Sequence, residues 1–272
     1  LWECPPHSLS LNGEENLFFK RVSHSKLDDL IWLYFVLGKK RPWDVNPPLQ
    51  GWCPADQVLF CLLLDLRNKA FVFPAPTATA VVDLQVSNQL PLTKLTVCLR
   101  YYTLLPRAYA LFSYATRSSD NDFLIYKSQP NEYAIHVGGA VVNFKVPPKE
   151  KPSWDHVCVS WDSSNGLVQL WLNGEALPRL GLKKGYSISP QASIMLGQDQ
   201  DSFGGGFDVN QSFVGEMSEV YLWARVLTPT EIRLSSNNAE LSGPLVSWKS
   251  LSYTIKNEVF VEEFLAPQNA CI

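Results

Sequence analysis

The chain has 272 residues, of which 46% are hydrophobic, and its formal net charge is −3 at pH 7. This length allows one large β domain with an appendage or two smaller domains, and the slightly acidic balance leaves no basic face for nucleic-acid phosphates. For this reason we do not predict nucleic-acid binding. No apolar run reaches the roughly 18 residues that a membrane-spanning helix needs, so we do not predict membrane insertion either.

The N-terminal segment, residues 1–66, differs in pattern from the rest of the chain. It contains apolar clusters at 30–38 and 58–66, but neither cluster has a sustained period of 2 or 3.6 residues. We therefore interpret residues 1–66 as a poorly ordered extension, and a folded N-terminal module is the alternative.

A regular β pattern begins at residue 67. Short runs rich in β-branched and aromatic residues are separated by turn pairs such as Asn165-Gly166 and Asn173-Gly174. Many short strands at this spacing predict an all-β fold, a two-sheet antiparallel sandwich of the jelly-roll type. The predicted strands are residues 69–74, 80–86, 95–102, 109–116, 123–127, 132–137, 141–146, 156–162, 167–174, 192–197 and 218–224.

One short helix is predicted after the last of these strands, in the sequence LTPTEIRLSS. Thr228 is placed as its N-cap and Pro229 as its first residue, while Glu231 is placed to complete a capping box. We expect this helix to lie against the sheets.

The segment LGQDQDSFGGGFDVNQSFVGEM, residues 196–217, concentrates oxygen-bearing side chains around three consecutive glycines. An EF-hand that began at Asp199 would need Asp or Asn at position 203 and Glu at position 210, where the chain has Phe203 and Asn210, so this motif is excluded. Zinc is not expected, because the six cysteines include no Cys-x-x-Cys pair.

Asp199 and Asp201 share one face if the chain is extended there, and three interpretations remain open on the residues alone. The pair could be the acid and base of a glycosidase, ligands of a hard cation, or part of a solvated acidic loop. A glycosidase needs an apolar pocket that raises one pKa, whereas this loop is mostly Gly, Gln, Ser and Asp. A cation site needs only clustered oxygens.

The sequence HVCVSW, residues 156–161, matches the pentraxin signature of His, any residue, Cys, any residue, Ser or Thr, and Trp. The segments KAFVFP, FSYATRSSDND, LKKGYSI and LTPTEI, together with the 196–217 loop, also resemble pentraxins in order and with few gaps. The resemblance extends from about residue 69 to about residue 266, and we therefore define residues 67–272 as a pentraxin-like domain.

The resemblance implies a concanavalin-like jelly roll, an oxidising extracellular location, cyclic homopentamers and two Ca²⁺ ions per chain. It also implies a Cys98–Cys158 disulfide, for which the alternative is two buried free thiols. Carried over position by position, the ligands of the first ion are Asp120, Asn121, Asp199, the Gln200 backbone carbonyl and Asp201. The second ion shares Asp199 and Asp201 and adds Asp208 and Gln211.

We therefore expect a secreted, non-catalytic recognition protein of the innate-immunity and acute-phase type. By resemblance it binds phosphate- or carboxylate-bearing ligands through calcium, and its partners include complement and Fc receptors. Two alternatives remain: a jelly-roll glycoside hydrolase that uses Asp199 and Asp201, and a structural pentamer whose calcium site has decayed.

The chain departs from the family pattern at four positions. Asp199 replaces the usual Glu, so its shorter side chain has farther to reach. In the ligand pocket, Tyr126 replaces Phe and His136 replaces Thr, while Val141 replaces the acidic residue that faces choline. His136 is interpreted as a strand residue, with a ligand contact as the alternative. We expect oxyanion binding to survive and choline preference to be lost.

Overall fold

The computed structural model describes residues 66–265. The interpretation of residues 1–65 as an extension lies outside the described residues. Leu66, which the sequence boundary assigned to that extension, is buried, and its carbonyl accepts a hydrogen bond from Trp248 Nε1 (2.7 Å).

Two antiparallel sheets pack face to face, so the predicted jelly-roll sandwich is confirmed. The strands in chain order are β1 (Lys69–Phe73), β2 (Val81–Leu84), β3 (Lys94–Tyr102), β4 (Tyr109–Thr116), β5 (Phe123–Gln129), β6 (Glu132–Val137), β7 (Ala140–Lys145), β8 (Asp155–Asp162), β9 (Leu167–Leu172), β10 (Glu175–Ala176), β11 (Leu180–Gly181), β12 (Ala192–Leu196), β13 (Gly215–Trp223), β14 (Tyr253–Lys256) and β15 (Phe260–Glu263).

The first sheet has the strand order β10-β9-β8-β3-β13-β1-β15, with β11 also paired to β9. The second sheet has the order β14-β2-β12-β4-β5-β6-β7. Each predicted strand is present, and its ends differ from the prediction by at most three residues. The short strands β10, β11, β14 and β15 were not predicted.

One α-helix, α1 (Pro229–Ser236), and two 3-10 helices, Val209–Gln211 and Trp248–Ser250, complete the described part of the chain. The predicted capping box is confirmed. Thr228 Oγ1 accepts from the Glu231 N–H (3.3 Å), and Glu231 Oε2 accepts from the Thr228 N–H (2.8 Å). No helix among residues 66–265 is long and apolar enough to cross a membrane.

The main core lies between the sheets and includes the buried side chains of Trp161, Trp248 and Phe112. A second apolar cluster packs α1 against the first sheet. The Cys98–Cys158 disulfide is confirmed there: the two residues lie opposite each other on β3 and β8, with a Cα–Cα distance of 4.1 Å. They are 60 residues apart in sequence, so the bridge contributes about 4 kcal/mol by the loop-entropy account.

Strand β4 shows where the second sheet is covered on its outer side. Every residue of β4 is buried, although alternate side chains of a strand point to opposite faces. The outer side of β4 contacts the loop that connects β12 to β13, residues 197–214, which contains the oxygen-rich segment. The fold therefore places that loop over the outer face of the second sheet.

Candidate metal centre

The 197–214 loop leaves and rejoins the sandwich at one point. The Phe213 N–H donates to the Gly197 carbonyl (2.9 Å), which ties the two ends of the loop together. Gly197 has φ +84°, and a Cβ atom there would lie 2.4 Å from the Phe73 ring. Only glycine satisfies both the positive φ and this close approach.

Gln200 attaches the first part of the loop to the sheet. Its side chain is fully buried, and Nε2 donates to the carbonyls of Ser113 on β4 (3.2 Å) and Ser193 on β12 (3.0 Å). Its Oε1 accepts from the Gly204 N–H (3.0 Å), which fixes the start of the glycine run. The sequence assigned only the Gln200 backbone carbonyl to the site, so this anchoring role of the side chain was missed.

Asp208 and Arg107 hold the second part of the loop. Asp208 Oδ1 accepts from the Asn210 N–H (2.9 Å) and caps the short 3-10 helix that contains Gln211. The Arg107 guanidinium donates to the carbonyls of Asn210 (3.0 Å) and Ser212 (2.7 Å). The backbone on both sides of Gln211 is thereby fixed from outside the loop.

Asp120 and Asn121 lie in the turn between β4 and β5, and the buried Asp122 beside them fixes that turn. Its carboxylate accepts from Thr116 Oγ1 (2.8 Å) and from the Tyr186 hydroxyl (2.7 Å). The Asn121 carbonyl also accepts from the Gly139 N–H (3.0 Å). Asp122 was not singled out from the sequence, although it directly follows the predicted pair.

The structure brings the four predicted carboxylates, Asp120, Asp199, Asp201 and Asp208, into one electrostatic cluster. Burial, together with the charges of Asp201 and Asp120, raises the pKa of Asp199 to about 7. Burial also raises the pKa of Asp201, with contributions from Asp120 and Asp208. Among residues 66–265, none of the four forms an ion pair with Lys, Arg or His, so their negative charge is uncompensated by side chains.

Three side-chain oxygens of this cluster are buried and have no hydrogen-bond donor among the described residues: Asn121 Oδ1, Asp199 Oδ1 and Gln211 Oε1. Buried polar atoms are rarely left unpaired, so these three atoms indicate a missing partner of positive character. A hard divalent cation such as Ca²⁺ prefers carboxylate and amide oxygens. The residues therefore fit calcium, and four carboxylates match the charge of two such ions.

The predicted pocket residues lie on the same outer face of the second sheet. His136 on β6 is directly opposite Val141 on β7, and Tyr126 lies on the neighbouring strand β5. Burial lowers the pKa of His136, and the charge of Asp120 acts against this shift. Burial raises the pKa of Tyr126, with the nearby charges of Asp199 and Asp208 adding to it. Val141 is 48% exposed and carries no charge.

Comparisons with known proteins give matches that cover most of the described chain. The model of the family described as "Pentaxin family", the pentraxins, matches residues 69–263. The serum amyloid P-component of Bos taurus is 44% identical over 199 residues, which is 73% of this chain and 88% of that protein. The C-reactive protein of Cavia porcellus is 44% identical over 206 residues, 75% of this chain and 91% of that protein.

Among solved structures, the native heptameric SAP-like pentraxin from Limulus polyphemus matches with a TM-score of 0.66 and 27% sequence identity. The match covers 73% of this chain and 96% of the Limulus chain. The residues that the family model matches include the 197–214 loop and the turn that carries Asp120.

Proposed function

We propose that this chain, which belongs to the pentraxin family, is a secreted protein of innate immunity that recognises its ligands through bound calcium. Its ligands carry phosphate or carboxylate groups, as on the headgroups of microbial or damaged-cell surfaces. The protein is not an enzyme in this proposal.

The observation that supports the proposal is the set of unpaired buried oxygens of Asn121, Asp199 and Gln211 beside uncompensated carboxylates. Two calcium ions would be held by the ligands assigned from the sequence: Asp120, Asn121, Asp199, the Gln200 carbonyl, Asp201, Asp208 and Gln211. Bound calcium would supply positive charge to which the oxygens of an anionic ligand bind. The protein itself contributes a prearranged set of oxygens, because Gln200, Arg107 and Asp122 fix the segments that carry them.

The surroundings of the site support recognition of the anion rather than of a quaternary ammonium group. Tyr126 offers an aromatic ring, but the exposed Val141 offers no carboxylate that would attract a cationic headgroup. Burial lowers the pKa of His136, which lies between them on the sheet, so the charged form of its imidazole is disfavoured. We therefore propose phosphate monoesters and carboxylates as ligands, without selectivity for choline.

We further propose that the protein acts as a closed ring of identical subunits, and that a multivalent ring binds surfaces that display many copies of the ligand. A pentamer is the ring size implied by the resemblance, whereas the Limulus relative is described as heptameric. Complement and Fc receptors are the proposed downstream partners.

The glycosidase alternative gains one property from the structure, the raised pKa of Asp199, which a catalytic acid needs. Neighbouring carboxylates contribute to that shift, however, and a bound cation would reverse their effect. Turnover of β-glucan substrates in the presence of EDTA would favour the hydrolase over the calcium-dependent protein.

The test is a calorimetric calcium titration of the intact protein and of the variants Asp120→Ala and Asp201→Ala. Each variant removes a charged oxygen ligand, so we expect its calcium affinity to fall by about tenfold or more. Glu175→Ala is the matched control, because Glu175 is an exposed acid on β10 of the other sheet. Unchanged calcium binding in both aspartate variants would contradict the assignment.

A further inference from the structure

A cavity of about 600 Å³ is lined by residues of both sheets. They come from β3, β8 and β9 of the first sheet, from β4, β5 and β6 of the second, from the segment after β3 and from the proline-rich segment after β7. None of its lining residues belongs to the predicted calcium or pocket set. Its volume is in the range of small-molecule sites, roughly 300–1,000 Å³.

Lys127 lies in the wall of this cavity with its side chain on the interior face of β5. In the sheet pairing, it is opposite Tyr109 on β4 and Tyr133 on β6, so a lysine is flanked by two tyrosines in one cross-strand row. Lys127 is only 4% exposed. Its Nζ atom lies 3.7 Å from the centre of the Tyr133 ring.

The Lys127 ammonium lacks an anionic partner. Among residues 66–265 it forms no ion pair within 4 Å and has no hydrogen-bond acceptor for its three N–H groups. The carboxylate of Asp155, also in the cavity wall, is already engaged by Lys149 Nζ (2.9 Å) and Asn173 Nδ2 (3.1 Å). The three N–H groups of Lys127 are therefore available to a molecule inside the cavity.

The ring of Tyr133 does not offset the free-energy cost of this burial. A cation–π contact offsets only part of the free-energy cost of removing an ammonium group from water. Consistent with this deficit, burial lowers the pKa of Lys127 to about 8, with Asp155 acting in the opposite direction. The group is still mainly protonated at neutral pH.

The remaining walls of the cavity combine apolar and aromatic surface with an excess of positive charge. The hydroxyl groups of Tyr101 and Tyr133 hydrogen-bond to each other (2.5 Å), so their rings are held in place across the two sheets. Leucine and proline side chains line much of the rest, and the charged lining residues are three lysines and one aspartate. This combination is complementary to a small anion with an apolar body.

We propose that this cavity is a calcium-independent binding site for a small organic carboxylate. The carboxylate oxygens accept hydrogen bonds from the Lys127 ammonium, and the apolar part of the ligand packs against the leucine and proline side chains of the wall, among them the exposed Leu104. The anion supplies the buried ammonium with the partner that the chain does not provide. None of the lining residues is an assigned calcium ligand, so we expect the carboxylate to bind whether or not calcium is present.

The test compares octanoate with octan-1-ol by titration calorimetry of the full chain in EDTA, so that the metal centre does not contribute. We expect one octanoate per chain, bound at least about tenfold more tightly than the uncharged alcohol, whose hydroxyl can accept a hydrogen bond from the ammonium but cannot form an ion pair with it. Lys127→Met should lower octanoate affinity by about tenfold or more and leave octan-1-ol binding unchanged. Lys145→Met is the matched control, because Lys145 is an exposed lysine of β7 outside the cavity.

A folding defect is distinguished by thermal unfolding. Lys127→Met removes an uncompensated buried charge, so its melting temperature should equal or exceed that of the unaltered protein. The comparison of octanoate with octan-1-ol needs no variant and stands if Lys127→Met does not fold. Equal binding of the two compounds, or no octanoate binding at concentrations on the order of a millimolar, would overturn the proposal. So would an unchanged octanoate affinity in folded Lys127→Met.

Discussion

Replacement of Gln200 by alanine tests whether the fold, rather than calcium alone, shapes the metal centre. The Gln200 amide donates to the carbonyls of Ser113 and Ser193 and to Ser113 Oγ (3.2 Å) and accepts from the Gly204 N–H. The two N–H groups of the amide are shared among these three acceptors. Two donated bonds and one accepted bond in a buried position are worth about 2–4 kcal/mol together. The lost free energy should destabilise the closed loop rather than the whole domain, because the sheets beneath the loop are held by their own backbone hydrogen bonds and by the apolar core.

A loss of this size shifts the equilibrium between closed and open loop by about thirtyfold to several hundredfold. Limited proteolysis measures that shift. A protease should cut the unaltered protein within residues 199–211 in EDTA, because the clustered carboxylates repel, and millimolar calcium should block the cut. Gln200→Ala should be cut faster in EDTA and should need more calcium for protection, although its side chain is not an assigned ion ligand.

Gln191→Ala is the control, since Gln191 is an exposed glutamine just before β12. Its cleavage rate and calcium requirement should match those of the unaltered protein. If Gln200→Ala were cut no faster than this control in EDTA, the amide would not be what holds the loop. If calcium changed none of the cleavage rates, the two-calcium assignment itself would fail.

Two further predictions concern ligand selectivity and acid stability. Val141→Glu should raise the preference for phosphocholine over a plain phosphate monoester by about 1 kcal/mol, the scale of a partly exposed charge pair, in calcium-dependent competition binding. A preference of about tenfold or more in the unaltered protein would assign the discrimination to another residue. The second prediction concerns Glu231, whose pKa is lowered to about 2 by the Arg225 guanidinium (2.7 Å) and by the Thr228 N–H. The stabilisation that ionised Glu231 provides is complete above the usual pKa of 4.5 and is lost as the pH falls towards 2. In Glu231→Gln the melting temperature should therefore depend less on pH over that interval, by the equivalent of less than about 1 kcal/mol of stability at this surface position. Equal acid sensitivity of the melting temperature in both proteins would argue against this linkage.

The strands of the sandwich could be predicted from the sequence because their alternation and turn residues are local signals. β14 and β15 were missed because they are short edge strands of four residues each with no buried residue. β13 begins at Gly215, three residues before the predicted start, and a register shift between Ser218 and Tyr221 interrupts its alternation. Glu219 within that shift has φ +52°.

The oxygen-bearing residues of the proposed metal centre were named from the family resemblance and stay a prediction, whereas the residues that fix them in the fold could not be named from the sequence. Gln200 and Ser113 are 87 residues apart, Tyr186 and Asp122 are 64 apart, and Arg107 binds a carbonyl 105 residues away. Such partners meet only in the folded chain and leave no local pattern. Lys127 was missed for a similar reason, because it reads as the polar end of a strand until Tyr109 and Tyr133 are placed beside it.

The 197–214 loop is closed at its base, where the Phe213 N–H donates to the Gly197 carbonyl. The sequence of the loop can therefore change without a change in the two sheets. Residues 198–212 can lengthen, shorten or change charge while β12 stays paired with β2 and β4 and β13 stays paired with β1 and β3. The backbone hydrogen bond at the base already joins the two ends of the loop. A loop transplanted from a relative should therefore close on the same base if the recipient keeps the Ser113 and Arg107 attachment points. Its metal preference would still depend on Asp120 and Asn121, which the recipient supplies from the turn between β4 and β5.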